Sequence, residues 1–270
     1  MKRIVDGVDA STSATDPPLR DEEVEVAAGP VVVAGHLTIP EHPSGIVVFA
    51  HGSGSSRFSA RNIFVADVLN SSGIATLLFD LLTPDEERNR ANVFDIELLA
   101  HRLVDVTDWL AGQPGTACLP VGYFGASTGA GAALAAATDP SVNITAVVSR
   151  GGRPDLAGEC LTNVRAPTLL IVGGRDETVL ELNQRAQAAI PCECELVVVP
   201  GATHLFEEPG TLEKVAALAR DWFHRPLEPR EAAVVHPNAF VHNRSAAPEC
   251  PGKRDFRSRR ALGRMKGPNN

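Results

Sequence analysis

The chain has 270 residues, 44% of them hydrophobic, and a formal net charge of −8, which suits one α/β domain or two small ones. No apolar run approaches the roughly 18 residues of a membrane span, and Met1-Lys2-Arg3 leads into polar and acidic residues rather than an apolar signal segment. From Arg225 onward stand 10 Lys and Arg against 4 Asp and Glu, leaving a body with 15 basic against 29 acidic residues, which argues against nucleic acid as the main partner.

Residues 1–20 are polar and irregular and are expected to form a loose terminus. Glu22–Ala27 and Val31–Ile39 flank Ala28-Gly29-Pro30 and predict an antiparallel hairpin. Apolar runs then alternate with helical patterns. Strands are predicted at Ile46–Ala50, Ala75–Phe79, Val121–Phe124, Ala146–Ser149, Thr168–Val172 and Glu195–Val199. Such near-continuous apolar runs indicate strands buried on both faces, hence a parallel sheet. Helices are predicted at Ala60–Ser71, Val93–Leu110, Ser127–Thr138, Val179–Ala189 and Thr211–His224. In Val93–Leu110 the residues Phe94, Leu98, Leu99, Leu103, Val106 and Leu110 recur at helical spacing. The alternation predicts a doubly wound, mostly parallel α/β sheet with an N-terminal antiparallel hairpin, occupying residues 21–225. In residues 226–270 apolar periodicity stops, and Lys253–Arg260 is a basic run. A disordered extension without a role is expected there; a tail that contacts RNA or membrane is the alternative. The five cysteines, Cys118, Cys160, Cys192, Cys194 and Cys250, show no zinc spacing and predict no disulfide framework. A reducing, cytoplasmic setting is the expectation, with Cys192-x-Cys194 two ordinary thiols.

Gly125-Ala126-Ser127-Thr128-Gly129 follows the apolar Val121–Phe124 run and precedes the Ala-rich Ala130–Ala137. A G-x-S-x-G stretch in a strand–turn–helix context places a serine on a strained backbone with its hydroxyl exposed. The helix behind it offers free N–H groups to a developing negative charge. A plain Gly-rich turn is the alternative.

A serine hydroxyl needs a neighbouring base, and the base an orienting carboxylate. Asp176 follows the Thr168–Val172 strand through Gly173-Gly174-Arg175, and His204 follows Glu195–Val199 through Pro200-Gly201-Ala202-Thr203. Both lie downstream of Ser127, in the order Ser, acid, His. Taken singly, Asp176 could cap the following helix and His204 could be polar surface. Glu177, Glu207 and Glu208 are weaker acid candidates. Two N–H donors are needed for the oxyanion. The amide of Thr128 is one expected donor; Ser53, in the loop His51-Gly52-Ser53-Gly54, is the other. His51 lies upstream of Ser127 and is expected to buttress this loop.

His51-Gly52-Ser53-Gly54, Gly125–Gly129, Gly174-Arg175-Asp176 and Gly201-Ala202-Thr203-His204 together make the stretch from Glu22 to His224 resemble the α/β-hydrolase superfamily, and within it the dienelactone-hydrolase-like proteins. The resemblance implies an α/β-hydrolase fold and a Ser127-Asp176-His204 triad. Dienelactone hydrolases carry a cysteine nucleophile, so Ser127 departs from their pattern and weakens dienelactone as the expected substrate. Similar segments also occur fused to a phosphoribosyltransferase domain in some bacteria; no acidic-pair phosphoribosyl loop is found here. Only a short segment separates Ser149 from Thr168, so no large cap fits and an open site is expected.

Arg57, Arg61, Arg150, Arg153 and Arg175 fall in loops expected near the site. Arg150 and Arg57 are the candidate substrate-binding residues, for a small anionic ester or lactone; surface arginines paired with acidic residues are the alternative. The resulting expectation is a serine hydrolase of small carboxylic esters, lactones or thioesters, using no metal or organic cofactor. An acyltransferase or perhydrolase on the same triad, and a non-catalytic binding or scaffold protein of the same fold, stand as alternatives.

Overall fold

The computed structural model describes residues 19–227; residues 1–18 of the expected N-terminal segment and residues 228–270 of the expected tail lie outside them, while Arg20 opens the first strand and Pro226 and Leu227 close the last helix. The order of elements is β1 (Arg20–Ala28), β2 (Val31–Ile39), β3 (Ile46–Ala50), α1 (Ala60–Ser71), β4 (Ala75–Phe79), α2 (Pro84–Glu87), α3 (Ile96–Ala111), β5 (Val121–Ala126), α4 (Thr128–Ala136), β6 (Ile144–Arg150), β7 (Thr168–Gly173), α5 (Glu177–Ala189), β8 (Cys194–Val199) and α6 (Thr211–Leu227). Short 3₁₀ segments at Asn92–Phe94 and Pro154–Asn163 complete it.

The eight strands among the described residues form one sheet in the order β1-β2-β4-β3-β5-β6-β7-β8. The β1–β2 and β2–β4 pairs are antiparallel; every other pair is parallel. Successive side chains of a strand point to opposite faces, and two cores result. Ile46, Val48 and Ala50 join Tyr123, Val147 and Leu170 on the face covered by α3, α4 and α5. Val47 and Phe49 join Phe124, Val148 and Ile171 on the face covered by α1 and α6. The expected doubly wound architecture with a hairpin at its front is the one observed. No helix among the described residues is long and apolar enough to cross a membrane.

Local chemistry sets the boundaries that periodicity misplaces. The Val93–Leu110 helix begins only at Ile96, because the Asp95 side chain accepts from the Leu98 amide at 3.0 Å and caps α3 there. Phe94 therefore falls in a separate 3₁₀ turn and is exposed, not part of the apolar stripe. Helix α2, not anticipated, is a capping box between Thr83 and Glu86; Glu86 also accepts from the buried Arg102 at 2.7 Å. The Pro154–Asn163 segment fills the connection where no cap was expected and packs on α4 and α5.

Candidate active site

Three strand ends converge on the site, and backbone proximity decides which residues are tolerated there. Ser127 joins β5 to α4 with φ 50° and ψ −120°, a left-handed conformation that costs a non-glycine residue on the order of 1–3 kcal/mol. The turn is held by the Ser127 amide donating to the Arg150 carbonyl at 3.3 Å and by the Arg153 amide donating to the Ser127 carbonyl at 3.0 Å. A Cβ on Gly125 would lie 2.4 Å from the Ala130 Cα, and one on Gly129 would lie 2.2 Å from the Ala50 carbonyl oxygen. Both positions therefore exclude any side chain. The Ser127 hydroxyl caps no amide of α4 and has no hydrogen-bond partner among the described residues.

Asp176 sits at the N-terminus of α5, yet its side chain makes no cap hydrogen bond. Its Oδ2 instead lies 2.6 Å from His204 Nδ1. The two come together because the loops after β7 and β8 touch: a Cβ on Gly173 would meet the Ala202 carbonyl oxygen at 2.5 Å and that of Thr203 at 2.6 Å. The Thr203 amide donates to Glu208 Oε2 at 3.0 Å, which braces the His204 loop. Glu207 faces Arg61 at 3.5 Å, and Glu177 is exposed. Asp176 is thus the carboxylate that reaches the imidazole, and its engagement leaves Nε2 as the nitrogen open to other partners.

Ser127 and His204 line one cavity of about 310 Å³ together with Ser53, Arg61, Asn62 and Arg150. Ser53 is exposed on the loop after β3, and Thr128 opens α4, where the first amides have no intrahelical acceptor. Arg150, the last residue of β6, is buried against this cavity. Arg57 is not there. It is paired with Asp80 and with Glu23, its own amide donates to Asp80 at 2.8 Å, and it lines a separate cavity of about 510 Å³ beside Asp67 and Phe58. Its place is taken by Arg61 and Asn62, from the first turn of α1. Arg61 was legible only as one of several loop arginines, and Asn62 carried no signal in the sequence. Among the described residues no group of His, Cys, Asp and Glu side chains is arranged to hold a metal ion.

His51 is buried, with Nδ1 at 3.0 Å from the Gly52 carbonyl and Nε2 accepting from the Leu81 amide at 3.1 Å. These partners require the neutral imidazole with its proton on Nδ1, so His51 fixes the Ser53 loop to the end of β4. Burial holds its pKa below the ordinary 6.5. A depressed histidine contributes stability above its unfolded pKa that is lost as pH falls through about 6.5 toward the folded value. His36 acts with the opposite sign, because its pKa is raised, but it is half exposed between Asp21 and Glu23. Urea unfolding should therefore show stability falling from pH 7.5 to pH 5.5, and His51→Gln should flatten that slope while lowering stability at pH 7.5. An unchanged slope in the variant would mean that His51 does not titrate in this window.

No protein-family model matches the chain. The solved structure of a dienelactone hydrolase from Anabaena variabilis is 56% identical, with a TM-score of 0.74, and the match covers 76% of this chain and 97% of that one. The chain belongs to the dienelactone hydrolase family. Two more distant members of the fold superpose as well. Est1E from Butyrivibrio proteoclasticus has a TM-score of 0.65 at 15% identity, over 76% of this chain and 98% of that one. A dienelactone hydrolase-like promiscuous phosphotriesterase from metagenomic libraries has 0.64 at 16%, over 77% and 98%. Among curated sequences, a Mycobacterium tuberculosis protein provisionally named phosphoribosyl transferase is 78% identical over 214 residues. That match takes in 79% of this chain but 48% of the relative, so the chain spans about half the length of the curated protein it resembles.

Proposed function

We propose that this member of the dienelactone hydrolase family is a serine hydrolase that cleaves a small carboxylic ester, lactone or thioester through an acyl-enzyme. The observation that carries the reading is the 2.6 Å Asp176–His204 contact beside a strained Ser127 at a helix N-terminus, with Ser127 and His204 on one cavity. Ser127 Oγ attacks the carbonyl carbon while His204 Nε2 takes its proton. Asp176 holds the Nδ1–H tautomer and stabilises the imidazolium. The amides of Thr128 and Ser53 donate to the oxyanion, where preorganised donors act at the moment charge develops. Collapse of the tetrahedral intermediate expels the alcohol, thiol or ring oxygen, which receives the proton from His204. Water, deprotonated by the same imidazole, then releases the acid and restores Ser127.

The transferase name of the tuberculosis relative is assigned, in this proposal, to the half of that protein outside the shared 214 residues. The shared half is, in this proposal, the hydrolase sheet.

Labelling with a fluorophosphonate tests the reading. The folded wild type should be labelled, Ser127→Ala not at all, and His204→Ala at a strongly reduced rate, because an unassisted serine is a poor nucleophile. A folded wild type that resists the probe would overturn it.

A further inference from the structure

The segment Gly151-Gly152-Arg153, which leaves the end of β6, touches both the proposed nucleophile and the proposed base. The Arg153 amide donates to the Ser127 carbonyl at 3.0 Å. A Cβ on Gly151 would lie 3.1 Å from the His204 carbonyl oxygen and 3.6 Å from Cε1 of its ring, so this backbone packs against the imidazole. One side chain holds the segment from behind. Asn183, in the middle of α5, donates through Nδ2 to the Gly152 carbonyl at 2.9 Å, across 31 positions of sequence, and to the Val179 carbonyl at 2.8 Å. Two carbonyl partners fix the nitrogen as the atom that faces them. Oδ1 is then left buried without a partner.

Packing alone does not account for Asn183. Asparagine is a weak helix former, and this one is wholly buried, where an apolar residue of similar volume would leave no acceptor orphaned. The peptide it binds supplies the reason. The Gly152 carbonyl and the Arg153 N–H are opposite edges of one planar trans peptide. Asn183 holds one edge and the Ser127 carbonyl the other, so the peptide cannot turn without breaking both bonds, and hydrogen bonds in such a chain reinforce one another. The far side of Gly152 is closed as well: a Cβ there would lie 1.9 Å from Ser149 Oγ and 2.6 Å from the Ala130 Cβ. Asp176 opens the same helix seven residues before Asn183, about two turns away. One rigid element therefore carries both the carboxylate that contacts His204 and the amide that clamps the Ser127 turn. We infer that Asn183 is a positioning residue: through the Gly152–Arg153 peptide it keeps the strained Ser127 in register with His204. The inference rests on the proposed hydrolase reading and adds to it a residue outside the cavity, with no contact to substrate.

The test separates positioning from stability. In the full-length protein, Asn183→Leu removes the donor at similar volume, Asn183→Ala removes it without crowding should the leucine variant fail to fold, and Ala186→Gly loosens α5 at another buried position while keeping the clamp. Urea unfolding gives the stability of each. The fluorophosphonate labelling rate and kcat for p-nitrophenyl acetate should fall about 10- to 100-fold in the Asn183 variants, the scale of an ångström-sized misplacement, with KM changed by no more than about threefold. Ala186→Gly should lose stability yet keep both rates within about twofold of wild type. Hydrogen exchange at the Arg153 amide, followed by NMR, should be about tenfold or more faster in the Asn183 variants than in wild type or Ala186→Gly. Rates within about twofold of wild type in a folded Asn183 variant, unchanged exchange at Arg153, or equal losses of rate in Ala186→Gly would each overturn the inference. A wild type that resists the probe and turns over no ester would instead sink the hydrolase reading; accelerated exchange at Arg153 in the Asn183 variants would then still establish the clamp on the Ser127 turn.

Discussion

Exchange of Ser127 for alanine is expected to lower kcat for an activated ester by about 10⁴- to 10⁶-fold, and His204→Ala by nearly as much, while the double variant loses no more than the worse single one. The reason is that in the proposed mechanism the two residues perform one step. Without Oγ there is no acyl-enzyme for the imidazole to serve; without the imidazole the hydroxyl keeps its proton and attacks poorly. Asp176→Asn should cost about 10⁴-fold or less, because the amide can present its nitrogen to Nδ1 and so favour the wrong tautomer. Its 2.6 Å contact survives as geometry but not as the correct charge. Structural loss is not expected from the serine, whose hydroxyl has no hydrogen-bond partner among the described residues. Steady-state kinetics on p-nitrophenyl acetate, with circular dichroism to confirm the fold, read the result. Retention of more than about a tenth of wild-type kcat by Ser127→Ala would be incompatible with nucleophilic catalysis at this residue.

The parts of the molecule that the sequence makes legible are those where one physical requirement dominates. Gly125 and Gly129 are readable because a Cβ at each would strike backbone, and only glycine meets that demand. The strands are readable because burial on both faces leaves runs such as Ile46–Ala50 and Ala75–Phe79 almost wholly apolar; the one exception, Thr76, is buried and donates its hydroxyl to Asn70 Oδ1 at 3.0 Å. Asp176 and His204 are readable from their order after β7 and β8, although nothing in the local sequence says that the two loops touch. Where two requirements compete, sequence reasoning goes astray. Phe94 follows the apolar period of α3, but the Asp95 cap ends the helix first. Arg57 and Arg61 look alike in a loop that precedes and enters α1. Their fates differ because Asp80, from beyond β4, captures Arg57, whereas Arg61 is turned toward the cavity where a single exposed glutamate faces it. Such a choice depends on residues twenty or more positions apart and has no local signature. Asn62 is the same case: an unremarkable third residue of a helix until the fold brings Arg150 to it from 88 positions away.

Gly129→Ala is expected to destabilise the protein by about 3 kcal/mol or more, or to prevent its soluble expression, although it adds one methyl group. That methyl would lie 2.2 Å from the Ala50 carbonyl oxygen and 2.5 Å from that of His51. Both obstacles are backbone at the end of a central strand, so no rotamer change can relieve them. The helix has to move away from β3. Gly54 is the contrasting position: its φ of +71° disfavours a side chain, but no atom lies within 4 Å of a Cβ there, so Gly54→Ala should cost only about 1 kcal/mol of backbone strain. The difference between the two variants, measured by urea unfolding, isolates steric exclusion from conformational preference. A second consequence belongs to the site. Ser127 and Thr128 stand at the head of α4, and the Ser53 loop continues directly from Ala50 and His51. Forcing α4 off β3 therefore widens the space between the proposed nucleophile and one of its proposed oxyanion donors. Any folded Gly129→Ala protein should react with a fluorophosphonate far more slowly than wild type, whereas Gly54→Ala should stay closer to it. A Gly129→Ala variant within about 0.5 kcal/mol of wild type would show that β3 and α4 are not locked together, and would remove the physical basis for a strained, preorganised turn at Ser127.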